Sequence, residues 1–72
     1  MAEEVLTETP GNVWKVLVRP GDKVDAGATL FIMEVMKTEV HHNATSSGRV
    51  KAVHVTEGQE GVDAGIVAVE IE

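Results

Sequence analysis

The stretch Glu34-Val-Met-Lys-Thr-Glu-Val40, EVMKTEV, lies at the midpoint of a 72-residue chain. The runs on either side read as β-strands, which makes Met36-Lys37 the turn of a two-residue hairpin. Such turns usually need positive φ, which Gly, Asn or Asp supply most easily. An unbranched apolar residue followed by lysine is an unfavourable choice there. Strained turn residues persist where function needs them, so Met36 and Lys37 are both expected to hold positive φ on a rigid hairpin.

The rest of the chain supports an all-β reading. Val, Ile and Thr contribute 22 of its residues, a strand-forming composition. No apolar period matches a helix over a useful length. Strands are expected near 3–7, 13–18, 29–35, 38–43, 49–55 and 66–71. Gly-bearing turns separate several of them: Arg19-Pro-Gly-Asp22, Asp25-Ala-Gly27, Ser46-Ser-Gly48, Glu57-Gly58 and Asp63-Ala-Gly65. Short, closely spaced strands of this kind form a sandwich or flattened barrel.

EVMKTEV also joins two similar halves. Gly11, Val13, Val16, Val18 and Gly21 match Gly48, Val50, Val53, Val55 and Gly58 at an offset of 37. Asp25-Ala26-Gly27 then matches Asp63-Ala64-Gly65 at 38, so one residue is inserted between Gly58 and Asp63. Each half is too small to bury its own apolar face, and the two are expected to pack sheet to sheet about a pseudo-two-fold axis. Within each half the valines are spaced three and then two, where a regular strand gives two and two. A bulge or twist is therefore expected near Trp14-Lys15 and Lys51-Ala52. Val13, Val16 and Val18 turn inward, leaving Trp14 and Leu17 toward the surface.

Composition narrows the function. One domain, 1–72, is all that this length allows. The net charge of −6, with Trp14 and Phe31 as the sole aromatic residues, argues against a nucleic-acid binder, which needs a basic face and stacking rings. There is no cysteine, so no disulfide or thiolate-metal site, which fits a reducing compartment. The acidic start, MAEEVLTETP, is neither signal peptide nor anchor, and no stretch reaches the length of a membrane span. A cytoplasmic protein, monomeric in isolation and not bound to a membrane, is expected.

Lys37 is the single Lys or Arg between Lys23 and Arg49, bracketed by Glu34 and Glu39. A lysine on a tight hairpin tip is accessible and far from the body. That is poor geometry for a general base, which is usually tuned by burial. It is good geometry for carrying a covalent group that must travel. Geometry alone leaves open the plainer reading of a solvated turn lysine.

The residues around Lys37 bear a family resemblance. Glu34-Val-Met-Lys-Thr38 resembles the A/V-M-K-M attachment sequence of biotinyl domains of the biotin carboxyl carrier type. PGNVWKVLVRPGDKVDAGATL and SSGRVKAVHVTEG resemble the Gly and Val frames of that family's two halves, so the resemblance covers about residues 9 to 71. It implies a flattened β-barrel of two pseudo-symmetric four-stranded sheets, with the modified lysine on the hairpin between them. It implies that Lys37 is the covalent attachment site for biotin, with Val35, Met36, Thr38, Glu34 and Glu39 read by the ligase. Biotin protein ligase, a biotin carboxylase and a carboxyltransferase are the implied partners. The tethered biotin would shuttle carboxylate to an acceptor such as an acyl-CoA, pyruvate or urea, with no catalysis by the carrier itself.

This chain departs from the family in places. Val35 stands for the commonest Ala and Thr38 for the usual Met. EGQEGVDAG carries one residue more than usual, and Gly61 lies where an apolar residue is common, so this loop is expected to be displaced or looser. Residues 18–29 leave no room for the thumb insertion of some bacterial carriers. Lipoyl domains resemble the same frame but place an acid directly before their lysine, whereas here Met36 presents an apolar thioether. Biotin is thus favoured over a lipoyl carrier, and an unmodified β-rich interaction domain is the rival from another class. The Met1 start favours a freestanding attachment protein over a piece of a larger carboxylase.

The remaining chemistry-bearing residues read more plainly. His41 and His42 are adjacent, so on a strand they point to opposite faces. With His54 they are expected to be ordinary surface or edge histidines, not metal ligands. Trp14 is expected to be a partly exposed packing residue. Ser46 and Ser47 lie in a turn without a base, and no Gly-rich segment has the strand-to-helix setting of a phosphate loop.

Overall fold

The computed structural model describes residues 3–72. It contains seven strands and, among the described residues, no helix: β1 (Glu3–Leu6), β2 (Asn12–Val16), β3 (Lys23–Val24), β4 (Thr29–Val35), β5 (Thr38–Asn43), β6 (Gly48–Val53) and β7 (Val67–Ile71). No helix is therefore long and apolar enough to cross a membrane. All strand pairs are antiparallel, in one sheet of order β1-β7-β6-β3 and another of order β2-β4-β5. The expected strands are present, β4 and β5 with the expected bounds and the others with ends shifted by at most two residues. The sequence reading missed β3, which is only two residues long and too short to show a period.

The valine spacing is explained by matching bulges. The register of β2 on β4 shifts between Val13 and Lys15, and that of β6 on β7 shifts between Val50 and Ala52. Each shift adds one residue to the strand, so the next valine returns inward after three positions instead of two. Val13, Val18, Val50 and Val55 are buried, and Val16 and Val53 pack partly against the same core. Trp14 and Leu17 are left outside, at 44% and 52% exposure. The core also takes Leu30, Phe31 and Met33 from β4 and Val69 and Ile71 from β7. Each such side chain contributes about 1.5–3 kcal/mol on full burial.

The pseudo-two-fold is close but incomplete. Val24 pairs with Gly48 in the first half, and its counterpart Val62 pairs with Gly11. In the first half Lys23 extends this pairing to Arg49. In the second half the equivalent residue is Gly61 with φ 67°, which cannot continue a ladder. Its N–H instead donates to the Asn12 side-chain oxygen at 3.1 Å. The fourth strand of that sheet is thus one bridge and one side-chain hydrogen bond. The extra residue in EGQEG does not unseat the loop: Val62 is buried, so the apolar position lies one residue past Gly61.

His42 is the one histidine that departs from expectation. His41 and His54 are exposed, but His42 lies directly opposite Phe31 on the inward face and is only 4% exposed. Strand alternation could have put either His41 or His42 inside, and the register with β4 decides for His42.

Edge strands β1 and β5 face each other across a seam closed at one end by Glu3. Its carboxylate accepts from the Thr45 hydroxyl (2.6 Å), the Ser46 hydroxyl (2.9 Å) and the Thr45 N–H (3.2 Å). Hydrogen bonds, that of the Thr45 side chain foremost, hold the Glu3 carboxyl below the usual glutamate value of 4.5, against a smaller opposing effect of burial. A lowered folded pKa stabilises the fold above the unfolded value and is lost as pH falls through the folded one. Glu3→Gln should therefore lower Tm at neutral pH, with the difference from wild type vanishing in strong acid. A difference that persists undiminished in strong acid would contradict this role.

Candidate functional site: the β4–β5 hairpin

The site begins at its base. β4 lies between β2 and β5, so its register is fixed from both sides. Gly11 packs so tightly beneath the hairpin that an added Cβ would lie 2.6 Å from the Glu34 carbonyl oxygen and 2.9 Å from a Val35 methyl. Behind Gly11, the loop after β6 is tied to β2 by Gly58 N–H to Val13 O (2.9 Å) and Val13 N–H to Gln59 O (2.8 Å). Val35 packs against the core cluster. The tip therefore stands on a base with little freedom.

Val35 and Thr38 close the turn as a cross-strand pair. Met36 and Lys37 have φ of 50° and 65° and are the only non-glycine residues with positive φ among those described. The expectation for this turn is met, and positive φ at both central positions is the signature of the primed hairpin turn. Met36 is 94% exposed and packs on nothing that would justify it. Lys37 is exposed too, and among the described residues it forms no ion pair. Glu34 and Glu39 lie directly opposite each other one step below the turn, where like charges oppose pairing. Both are exposed, as is Thr38.

Four features of the tip thus work against local stability: two strained φ values, an unpacked Met and a facing carboxylate pair. Met36→Asn should relieve the first of them and raise stability by about 1 kcal/mol, read as a higher urea midpoint at unchanged m. A lower midpoint would show that Met36 does structural work that the packing does not reveal.

The sequence reading missed Gly11 as part of the site. The signal was present, since Gly11 is the match of Gly48, and Gly48 meets Glu72 O and an Ile71 methyl at 2.6 and 2.7 Å in the same way. Of the other residues singled out, Ser46 and Ser47 hold the 44–47 turn, through Glu3 and through the Ala26 N–H (3.1 Å). His54 contacts Glu70 at 2.6 Å. None of these converges on the hairpin.

A rigid two-sheet module that displays one strained, unpaired lysine at its tip belongs to the class of cofactor-attachment domains. The family described as biotin-requiring enzymes, the biotin/lipoyl domains, matches residues 1–71. The biotin/lipoyl attachment protein of Bacillus subtilis (strain 168) is 40% identical over 67 residues, 93% of this chain and 90% of that protein. Pyruvate carboxylase of the same organism is 43% identical over 68 residues, 94% of this chain but only 6% of that protein. The solved urea carboxylase of Kluyveromyces lactis superposes with a TM-score of 0.89 at 38% identity, over 100% of this chain and 6% of that one. The chain belongs to the biotin/lipoyl attachment family, and it is similar to the biotin carboxyl carrier protein of Streptococcus mutans, 46% identical over 56 residues, 78% of this chain and 42% of that protein.

Proposed function

We propose that Lys37 is the residue that carries biotin, and that this chain hands the cofactor between a biotin carboxylase and a carboxyltransferase without catalysis of its own. The observation that carries the reading is Lys37 at the tip of a primed turn, exposed and unpaired, with Met36 before it. An amide at Nζ removes a charge, and because no described residue pairs with that charge, no ion pair is lost. The side chain is exposed, as attachment of a bulky bicyclic group requires. When attached, biotin supplies a ring nitrogen that takes up carboxylate and gives it back.

The chain's own residues supply presentation. Gly11 and Val35 fix the base, so a biotin protein ligase meets Lys37 in one pose, and the neutral Lys37 amine attacks the carboxyl carbon of biotinyl adenylate, forming the amide as AMP leaves and the nitrogen gives up a proton. Met36 offers the ligase an apolar contact where a lipoyl domain offers a carboxylate. Val35, Thr38 and the Glu34–Glu39 pair complete the surface read around it. Tethering then raises the effective concentration of the cofactor at both partner sites. Action as a monomer in the cytoplasm fits the absence of cysteine.

The test is transfer. The biotinylated chain is incubated with a biotin carboxylase, ATP and labelled bicarbonate, and the label on the protein is counted before and after a carboxyltransferase and its acceptor are added. Avidin-sensitive label that is discharged by the second enzyme supports the reading. A biotinylated chain that takes up no label overturns it.

A further inference from the structure

The seam between β1 and β5 holds a groove of about 380 Å³ whose lining includes Glu3, Glu4, Glu8, His41, His42 and Thr45. The group of interest is His42. It stacks on Phe31 with centroids 4.3 Å apart and planes 13° from parallel. Both ring nitrogens are buried without a hydrogen-bond partner among the described residues. An unsatisfied buried polar group is costly and calls for an explanation.

Packing does not provide one. Ala44 and Thr7 make equivalent backbone bonds in the two halves: Gly27 N–H to Ala44 O mirrors Gly65 N–H to Thr7 O. Ala44 N–H to Ala28 O likewise mirrors Thr7 N–H to Ile66 O. The offset of 37 then places Val5 where His42 stands. Val5 pairs with Val69 just as His42 pairs with Phe31. The fold fills this position with valine in one half and with an unpartnered imidazole in the other.

We propose that the β1–β5 groove receives a basic side chain, preferably an arginine, of the enzyme on which the carrier docks; the identity of that enzyme rests on the carrier reading above. The charged groups that line the groove with His42 are Glu3, Glu4 and Glu8, with His41 on its own strand, and no Lys or Arg is among the described lining residues. From β4, Phe31 stacks on the ring. Glu3 is already engaged with Thr45 and Ser46, which leaves Glu4 and Glu8 for an incoming cation. A neutral imidazole offers one lone pair to an N–H donor and one N–H to an acceptor. A guanidinium carries five donors in a fork, so it can meet a carboxylate and, once the ring turns to uncover a nitrogen, the imidazole together. Position fits as well: His41 to Asn43 lie four to six residues beyond Lys37 on β5, about 13–20 Å along the strand. An enzyme that holds the arm at Lys37 has this groove beside it.

The test needs no biotin. N-acetyl-arginine amide is titrated into the unmodified chain by NMR, with the neutral N-acetyl-citrulline amide as control. The proposal expects saturable shifts of the His42 ring protons and of the Glu4 and Asn43 amides with arginine only. The shifts should be lost in His42→Val, which adopts the residue of the matching half and stays folded, and in Glu4→Gln/Glu8→Gln. Equal shifts with citrulline, shifts spread over all carboxylates, or shifts retained in His42→Val overturn the groove. With the biotinylated chain, Glu4→Gln/Glu8→Gln should raise the KM of a partner biotin carboxylase at least threefold at unchanged kcat, less so at high salt. An unchanged KM overturns the assignment to that enzyme. A chain that is never biotinylated defeats the carrier reading alone, because the titration does not depend on it.

Discussion

Lys37→Arg should leave the domain folded and remove biotin attachment entirely. The substitution keeps the charge and the length of the arm. A surface change at an unpaired site should move stability by no more than about 0.5 kcal/mol. What it removes is the nucleophile, because a guanidinium does not give up its proton in proteins and cannot attack an activated carboxyl. After co-expression with a biotin protein ligase, the intact mass of Lys37→Arg should equal that of the bare chain, with Tm unchanged. The chain has three other lysines, Lys15, Lys23 and Lys51. An adduct that persists in the variant and maps to one of them would show that exposure alone, not the hairpin, selects the acceptor. Lys15 is the sharpest internal control, since it too is exposed but lies over the Trp14 ring at 5.6 Å.

The second large effect should come from two glycines. In Gly11→Ala and Gly48→Ala the new Cβ meets a backbone carbonyl oxygen at 2.6 Å in each case. Backbone cannot swing aside as a side-chain tip can, so each variant should lose about 2–3 kcal/mol. A 72-residue domain has a total of roughly 4–11 kcal/mol, and Tm should fall by roughly 10 °C or more. Function should separate the two. Gly11 pushes on Glu34 and Val35, the base of the Lys37 hairpin, whereas Gly48 pushes on Ile71 and Glu72. At a temperature where both are folded, Gly11→Ala should be biotinylated several-fold more slowly and Gly48→Ala at the wild-type rate. Equal rates would mean that the ligase tolerates a displaced base, and the presentation argument would fail.

What the sequence revealed and what it hid follow from the range of the interactions. The bulges at Trp14-Lys15 and Lys51-Ala52 were legible because a bulge breaks a local period, and three-then-two spacing records that break. The turn at Met36-Lys37 was legible because strands on both sides leave room for nothing else, and its strain could be inferred from residue type. β3 was hidden because two residues have no period. The burial of His42 was hidden for another reason: His41 and His42 offer the same residue to both faces, and only the pairing with Phe31 breaks the tie. Its equivalence to Val5 was also out of reach. The two strands share no identities across that match, and the relation appears only in the backbone bonds of Thr7 and Ala44. The Glu3 clasp joins residues more than forty positions apart, which no local pattern reports. The shift of the apolar position from Gly61 to Val62 needed the pairing with Gly11 to be seen.

In the proposed function Met36 sets the choice between two cofactors, and that choice can be measured directly. The chain is incubated with a biotin protein ligase and a lipoate ligase together, each with its acid and ATP, and intact mass is recorded with time. Wild type should accumulate a single biotinyl adduct on Lys37. Met36→Asp, which places an acid before the lysine, should lose biotin in favour of lipoate. A lipoyl adduct on the wild-type chain, or no adduct of either kind, would contradict the account.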